Sequence, residues 1–309
     1  MKLMLCKPRG FCAGVVRAID TVNEALRVWG PPIYVKHEIV HNRHVVESLR
    51  IKGAVFVEEL DEIPVGSRVI YSAHGVSPAV REVAKLRQLK EIDATCGLVT
   101  RVHSAAKRYA SKGYKIVLIG HKTHVEVIGT AGEAPDSTWI VESVGDVQSL
   151  PFEKGEPLFY VTQTTLSLDD VQEIVEALRN RYPQIETLPS SSICYATTNR
   201  QMALREISGK VDLVLVVGDP QSSNSNRLVE AALQRGIKAY LINSRDEIQQ
   251  DWFKDVSVIG MTAGASTPES IVQECIRTLE LFGVDTIEEL SYIEEDVFFQ
   301  LPKEILIAK

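Results

Sequence analysis

The sequence predicts an α/β fold of parallel sheets covered by helices, and three observations predict it. Short apolar runs of strand length alternate along the chain with amphipathic helical patterns, the rhythm of β-α-β units. Of the 309 residues, 45% are hydrophobic and 24% charged, enough apolar material for an ordinary core. Polar residues gather directly after the apolar runs, where ligands bind in parallel sheets.

The expected strands, in order, are Leu3–Cys6, Ile33–Val35, Arg68–Tyr71, Lys115–Ile119, Leu158–Val161, Asp212–Val217, Lys238–Ile242 and Ser257–Ile259. Among the helices, one follows Ser167, an N-cap with Asp170 three residues on. It places Val171, Ile174, Val175 and Leu178 on one face and stops before Pro183. Ser77-Pro78 and Thr267-Pro268 read as N-caps followed by proline in the first turn. Gly113 ends the helix that begins near Leu98. Periodicity alone leaves open one barrel, one large doubly wound sheet or several small sheets. The acidic tail from about Asp285 reads as an extension packing on the body.

Net charge of −7 argues against a protein that wraps nucleic acid or docks on anionic lipid. An anionic small ligand remains compatible, because helix N-termini and neutral donors hold phosphate without net positive charge. No apolar run approaches the ~18 residues of a membrane span. The expectation is a cytoplasmic protein without membrane or nucleic-acid partners.

Five post-strand loops carry hydroxyl, amide or imidazole groups: Ser72–Gly75, Gly120–Glu126, Thr162–Thr165, Gly218–Asn226 and Gly260–Ser266. The five cysteines are an odd, widely spread set with no C-x-x-C pair, which argues against a disulfide framework and a zinc ribbon. Cys6 lies within an apolar run and Cys275 on an apolar helical face, so both read as structural. Cys12, Cys96 and Cys194 instead lie in loops that lead into helices, 84 and 98 residues apart in turn. A thiolate there is favoured by the helix dipole and by unbonded backbone N–H groups. Residue chemistry by itself leaves three functions: a metal-dependent enzyme, a metal-free binder of nucleotides or sugar phosphates, and a non-catalytic zinc protein. The second finds no support in a G-x-G-x-x-G or P-loop, and the third lacks tightly paired ligands.

The segments PRGFCAGV, VHNRHVV, SAHGVS, DATC, GHKTHVEV, TQTTLS, ICYATTNRQ, SSNSNRL and TAGAS occur in this order. Together they resemble the 4-hydroxy-3-methylbut-2-enyl diphosphate reductase family, iron–sulfur enzymes that end the methylerythritol phosphate route to isoprenoids. The resemblance runs from about Leu3 to about Leu279. It implies three small parallel-sheet α/β domains in pseudo-threefold arrangement around a 4Fe–4S cluster. Cys12, Cys96 and Cys194 match its ligands, leaving one iron without a protein ligand. With the cysteine spacing it suggests domains at 1–96, 97–193 and 194–284 and an extension at 285–309. The substrate-binding positions match His41, His74, His124, Thr164, Thr165, Ser222, Ser223, Asn224 and Ser266. Glu126 matches the acid, with Thr164 beside it as relay or anchor. The implied reaction removes an allylic hydroxyl with two electrons and two protons, giving isopentenyl and dimethylallyl diphosphates. A ferredoxin or flavodoxin is the implied electron donor. His37, His44, His103 and His121 have no assignment and read as structural or solvent-facing. Gly97 and Val125 stand where the family commonly has proline, which predicts looser loops at Cys96 and Glu126.

Overall fold

A computed structural model describes residues 1–308. Its strands are β1 (Lys2–Lys7), β2 (Ile33–Lys36), β3 (Ala54–Val57), β4 (Arg68–Tyr71), β5 (Lys90–Asp93), β6 (Lys115–Ile119), β7 (Thr138–Val141), β8 (Leu158–Thr162), β9 (Glu186–Thr187), β10 (Leu213–Val217), β11 (Lys238–Ile242), β12 (Val258–Ala263) and β13 (Thr286–Ser291). They form three wholly parallel sheets, so the several-sheet solution is the one adopted.

The chain divides into two compact units. The first holds Met1–Val15, His41–Val45 and Tyr195–Phe298. Its five-stranded sheet has the order β11-β10-β12-β1-β13. Both faces are covered: Leu3, Leu5, Leu213, Leu215 and Met261 pack into one cluster, and Met4, Cys6, Val214 and Val216 into another. A strand buried on both faces reads as a continuous apolar run, which is why β1 and β10 are visible in the sequence. Truncating a fully buried side chain such as Leu3 to alanine should cost about 2–5 kcal/mol.

The second unit holds Val16–Val40, Val46–Cys194 and residues from 299 onward. It contains two four-stranded sheets, β3-β2-β4-β5 and β7-β6-β8-β9. In the latter, Val117 and Ile119 of β6 face one core while Ile116 and Leu118 face another.

All eight expected strands are present. The five unforeseen ones, β3, β5, β7, β9 and β13, are all edge strands. An edge strand need bury little: β5 is Lys-Glu-Ile-Asp with only Ile92 buried, and β13 is almost wholly exposed. The partition departs from the expected one at both ends. β1 pairs with β12 and β13, so the residues leading to Cys12 belong to the sheet of the last third and not with β2–β5. The expected extension opens with β13, an integral strand of that sheet. Two-sided burial decides the first point, because only a central position covers Leu3 and Cys6 completely.

The helix signals hold with one shift. Ser167 caps the helix Leu168–Arg181 by accepting from the Asp170 N–H. Ser77 precedes the helix Pro78–Leu86. Gly113, at φ +87°, follows the helix Gly97–Ala110. The helix expected after Thr267 begins at Glu269, with Pro268 as its cap. The Thr267 hydroxyl donates instead to the Val217 carbonyl at the end of β10.

Candidate functional site

Each of Cys12, Cys96 and Cys194 is the residue immediately before a helix: Ala13–Trp29, Gly97–Ala110 and Tyr195–Ile207. All three are partly exposed. Each backbone N–H donates to the carbonyl two residues beyond a neighbouring strand. Cys12 reaches Ala265 at 3.2 Å, Cys96 reaches Ala73 at 3.0 Å and Cys194 reaches Thr164 at 3.0 Å. The next residue in each loop, Ser266, His74 or Thr165, is one of the expected binding residues. The same tether therefore recurs in all three sheets. Cys6 and Cys275 are wholly buried, and burial pushes both thiols up to about 12, so they stay protonated at neutral pH. Among the described residues no cysteine is in a disulfide.

A second recurrence concerns the loops after β2, β6 and β10. His41, His124 and Ser222 each lie five residues beyond the strand. His124 caps the helix Val125–Ala131, its Nδ1 accepting from the Glu126 N–H at 3.2 Å. Ser222 caps the helix Ser223–Leu233, its hydroxyl accepting from the Ser225 N–H. After His41, Asn42 takes the capping part, its Oδ1 accepting from the N–H groups of His44 and Val45.

In the first unit, Asn224 is nearly buried and both ends of its amide are engaged. Oδ1 accepts from the Ala265 N–H at 2.9 Å and Nδ2 donates to the Thr197 hydroxyl at 3.3 Å. The Ser266 hydroxyl donates to the His41 carbonyl at 2.9 Å. Ser222 keeps its own O–H for donation, and Ser223 is half-exposed at the first helical position.

In the second unit, Glu126 is 3% exposed and Thr164 4%. The Thr164 N–H donates to Glu126 Oε1 at 2.6 Å and its hydroxyl to Oε2 at 2.9 Å. A carboxyl group so buried needs such partners, and here one residue supplies both. The His74 and His124 rings meet edge to face with centroids 6.0 Å apart. Gly75 adopts φ +78°, and a side chain there would lie 3.1 Å from Thr95 and His103, so the glycine lets the His74 loop close on them. Thr165 accepts from Gln163 Nε2 at 3.0 Å. The structure thus joins His74, His124, Glu126, Thr164 and the Cys194 backbone into one continuous set.

The unassigned histidines find structural partners: His103 with Glu133, His37 with Glu58, His121 with Glu142 and His44 with the Asn243 carbonyl. Burial works against the Asp93 carboxylate three residues before Cys96, but Thr95 and Arg81 hold it below its ordinary value. Thr197 and Gln163, which are outside the expected set, hold Asn224 and Thr165 in place. Both lie inside the quoted segments, so the signal was at hand. The two missing prolines are explained in part. Gly97 and Val125 are first helical positions, and a Cβ on Gly97 would lie 3.2 Å from the Phe299 ring. Phe299 thus packs on the backbone that the missing ring would have stiffened.

Fold and site define a parallel-sheet α/β protein whose strand-end loops present three helix-leading thiols and a buried carboxyl–hydroxyl pair. The family model described as LytB protein matches residues 3–280, and the chain belongs to that family. A protein of Protochlamydia amoebophila named 4-hydroxy-3-methylbut-2-enyl diphosphate reductase is 70% identical over 309 residues, covering 100% of this chain and 99% of that protein. One of the same name from Chlamydia pneumoniae is 65% identical over 305 residues, 98% of each. The solved structure of the E-1-hydroxy-2-methyl-but-2-enyl-4-diphosphate reductase from Plasmodium falciparum superposes with a TM-score of 0.95 at 50% identity. It covers 99% of this chain and 96% of that one.

No helix among the described residues is long and apolar enough to cross a membrane.

Proposed function

We propose that this chain reduces 4-hydroxy-3-methylbut-2-enyl diphosphate to isopentenyl and dimethylallyl diphosphates. One allylic C–O bond breaks, two electrons and two protons are taken up, and water leaves. The observation that carries the reading is the buried Glu126–Thr164 pair hydrogen-bonded into the loop that tethers Cys194. Hydroxide is a poor leaving group and water a good one, so an acid must act at that oxygen. Glu126 Oε1 is committed to an N–H donor, so a proton held by the carboxyl sits on Oε2 against the Thr164 hydroxyl.

The residues fit a 4Fe–4S cluster. Three partly exposed thiols stand where helix termini favour thiolates, and the two remaining thiols are shut away. Cys12, Cys96 and Cys194 would hold it. When bound, it supplies the electrons and one Lewis-acidic iron without a protein ligand. His41, His74, His124, Thr165, Ser222, Ser223, Asn224 and Ser266 supply hydrogen-bond donors to the diphosphate. Ser266 must turn its hydroxyl from the His41 carbonyl to do so. Ferredoxin or flavodoxin is the proposed electron source. Five cysteines outside disulfides suit a reducing compartment, the cytoplasm.

The test is iron and sulfide content with the visible spectrum under anaerobic conditions. The intact chain should be brown, Cys194→Ser should lose most of its iron, and Cys275→Ser should keep it. Equal iron in the two variants would overturn the ligand assignment.

A further inference from the structure

Each helix led by a candidate ligand cysteine carries an arginine one turn in, and each arginine grips the loop before a different cysteine. Arg17, on the helix led by Cys12, donates to the carbonyls of Thr95 at 3.0 Å and Asp93 at 3.2 Å, just before Cys96. Arg101, on the helix led by Cys96, donates to the Ser190 hydroxyl at 2.8 Å and to the Ser191 carbonyl, just before Cys194. Arg200, on the helix led by Cys194, donates through Nε and Nη2 to the Gly10 carbonyl at 3.2 and 2.7 Å, just before Cys12. These are the fifth, fifth and sixth residues of their helices.

We infer that Arg17, Arg101 and Arg200 are positioning residues in a closed cyclic order, each setting the backbone that aims the next cysteine at the iron–sulfur cluster. The inference rests on the ligand assignment above. Guanidinium suits the task, because it is permanently charged, planar and donates in several directions while accepting nothing. Loop carbonyls outside helices and sheets must find donors, and a rigid fork defines their direction better than water does. Each thiol is thereby held from two sides: by its own N–H on a strand-end carbonyl, and by an arginine from the helix of another thiol. Arg200 is fully buried and also pairs with Glu295, which keeps its guanidinium from turning away. The cyclic order is directional, since replacing one arginine should loosen one named loop and leave the other two as they were.

The experiment compares Arg17→Met, Arg101→Met and Arg200→Met in the iron-loaded chain. Iron released to a chelator under anaerobic conditions, the electron paramagnetic resonance spectrum of the cluster and backbone hydrogen exchange are measured. The control is Arg181→Met, because Arg181 also donates to two backbone carbonyls, of Val147 in a short helix and of Leu150 in the loop after it, but touches no cysteine loop. Each test variant should release iron at least ~tenfold faster than wild type, the scale of one lost charge-assisted hydrogen bond. Exchange should quicken at 93–96 for Arg17→Met, at 190–194 for Arg101→Met and at 8–12 for Arg200→Met. Arg101→Lys should fall between, because one ammonium serves two oxygens poorly. If the buried Arg200 variant does not fold, the other two decide. Wild-type iron release in Arg17→Met and Arg101→Met, release as fast in Arg181→Met, or quickened exchange in the wrong loop overturns the inference. Should Cys194→Ser also keep its iron, the ligand assignment itself is what has failed.

Discussion

Asn224 and Glu126 hold the same place in helices that follow strands of two different sheets, and they differ in what they can do there. Each is the second residue of a helix whose cap lies five residues beyond a strand. Each side-chain oxygen accepts from the N–H two residues beyond a neighbouring strand, Ala265 for Asn224 and Thr164 for Glu126. The carbonyl of that same residue then accepts from a cysteine N–H, Cys12 or Cys194. In the remaining sheet the equivalent N–H, of Ala73, donates to the backbone carbonyl of Ile39, and no side chain takes part. Duplicate scaffolding thus carries divergent chemistry. Asparagine offers a neutral donor at its other end, suited to an anion, whereas glutamate offers an oxygen that can hold a proton. On the proposed roles, proton delivery and anion binding differ by one functional group on a shared frame.

The largest effect should come from making the two positions alike. Glu126→Gln keeps an oxygen for the Thr164 N–H, so the Cys194 tether and the iron content should survive. Turnover under a strong reductant should fall by roughly 10²–10⁴-fold, the usual contribution of a positioned acid. Near-normal turnover would remove the acid role from Glu126 and leave it a structural twin of Asn224.

Next is Asn224→Ala. Loss of a neutral donor to an anion should cost about 1.5–3 kcal/mol, or roughly ten- to a hundredfold in the dissociation constant of the diphosphate. Titration calorimetry on the oxidised, iron-loaded chain reads this directly. Asn224→Asp preserves an acceptor for the Ala265 N–H yet presents a like charge to the ligand, so it should bind more weakly than the alanine variant. Unchanged affinity in both would reduce Asn224 to scaffolding.

The cysteines sharpen the contrast between tethered and merely buried groups. In the iron-free chain at pH 8, iodoacetamide should label Cys12, Cys96 and Cys194 and spare Cys6 and Cys275 until unfolding. Because burial raises the Cys6 thiol from 9.0 to about 12, the folded chain keeps a proton that the unfolded chain releases. That contribution is intact below pH 9 and fades as pH rises toward 12. Denaturant titrations should show a flatter alkaline decline in Cys6→Ala, and an unaltered slope would show that Cys6 is not responsible.

The smallest effect concerns the helix starts themselves. His124 has φ −75° and ψ 133°, a conformation compatible with a following proline, and Val125 is the first helical residue. Val125→Pro should raise stability by about 0.4–1 kcal/mol through the unfolded state. Gly97→Pro should gain less, because Phe299 already occupies the space. Thermal melts of the two variants separate these outcomes, and a fall in Tm for Val125→Pro would contradict this account of the Glu126 helix.

Central strands, the Ser167 cap, the Gly113 stop and the helix-leading place of three cysteines were legible from residues alone. They are local or two-sided signals: continuous apolar runs, a hydroxyl beside a helix start, a glycine past a helix end. The candidate site residues came from the resemblance in nine segments, and their individual chemistry from the residue types. Five of the six edge strands were not legible, because a strand with one partner and one wet side has no need of an apolar pattern; the exception is β11, whose Ala-Tyr-Leu-Ile run is apolar. The place of β1 was not legible either, since its Leu-Met-Leu-Cys run says that both faces are covered without saying by what. Only the tertiary structure decided that β1 lies between β12 and β13, that Asn224 and Glu126 occupy matching positions, and that three arginines each grip another cysteine's loop. Hydrogen bonds between residues dozens to hundreds of positions apart depend on where strand ends meet, and sheet pairing sets that, whereas no local sequence preference does.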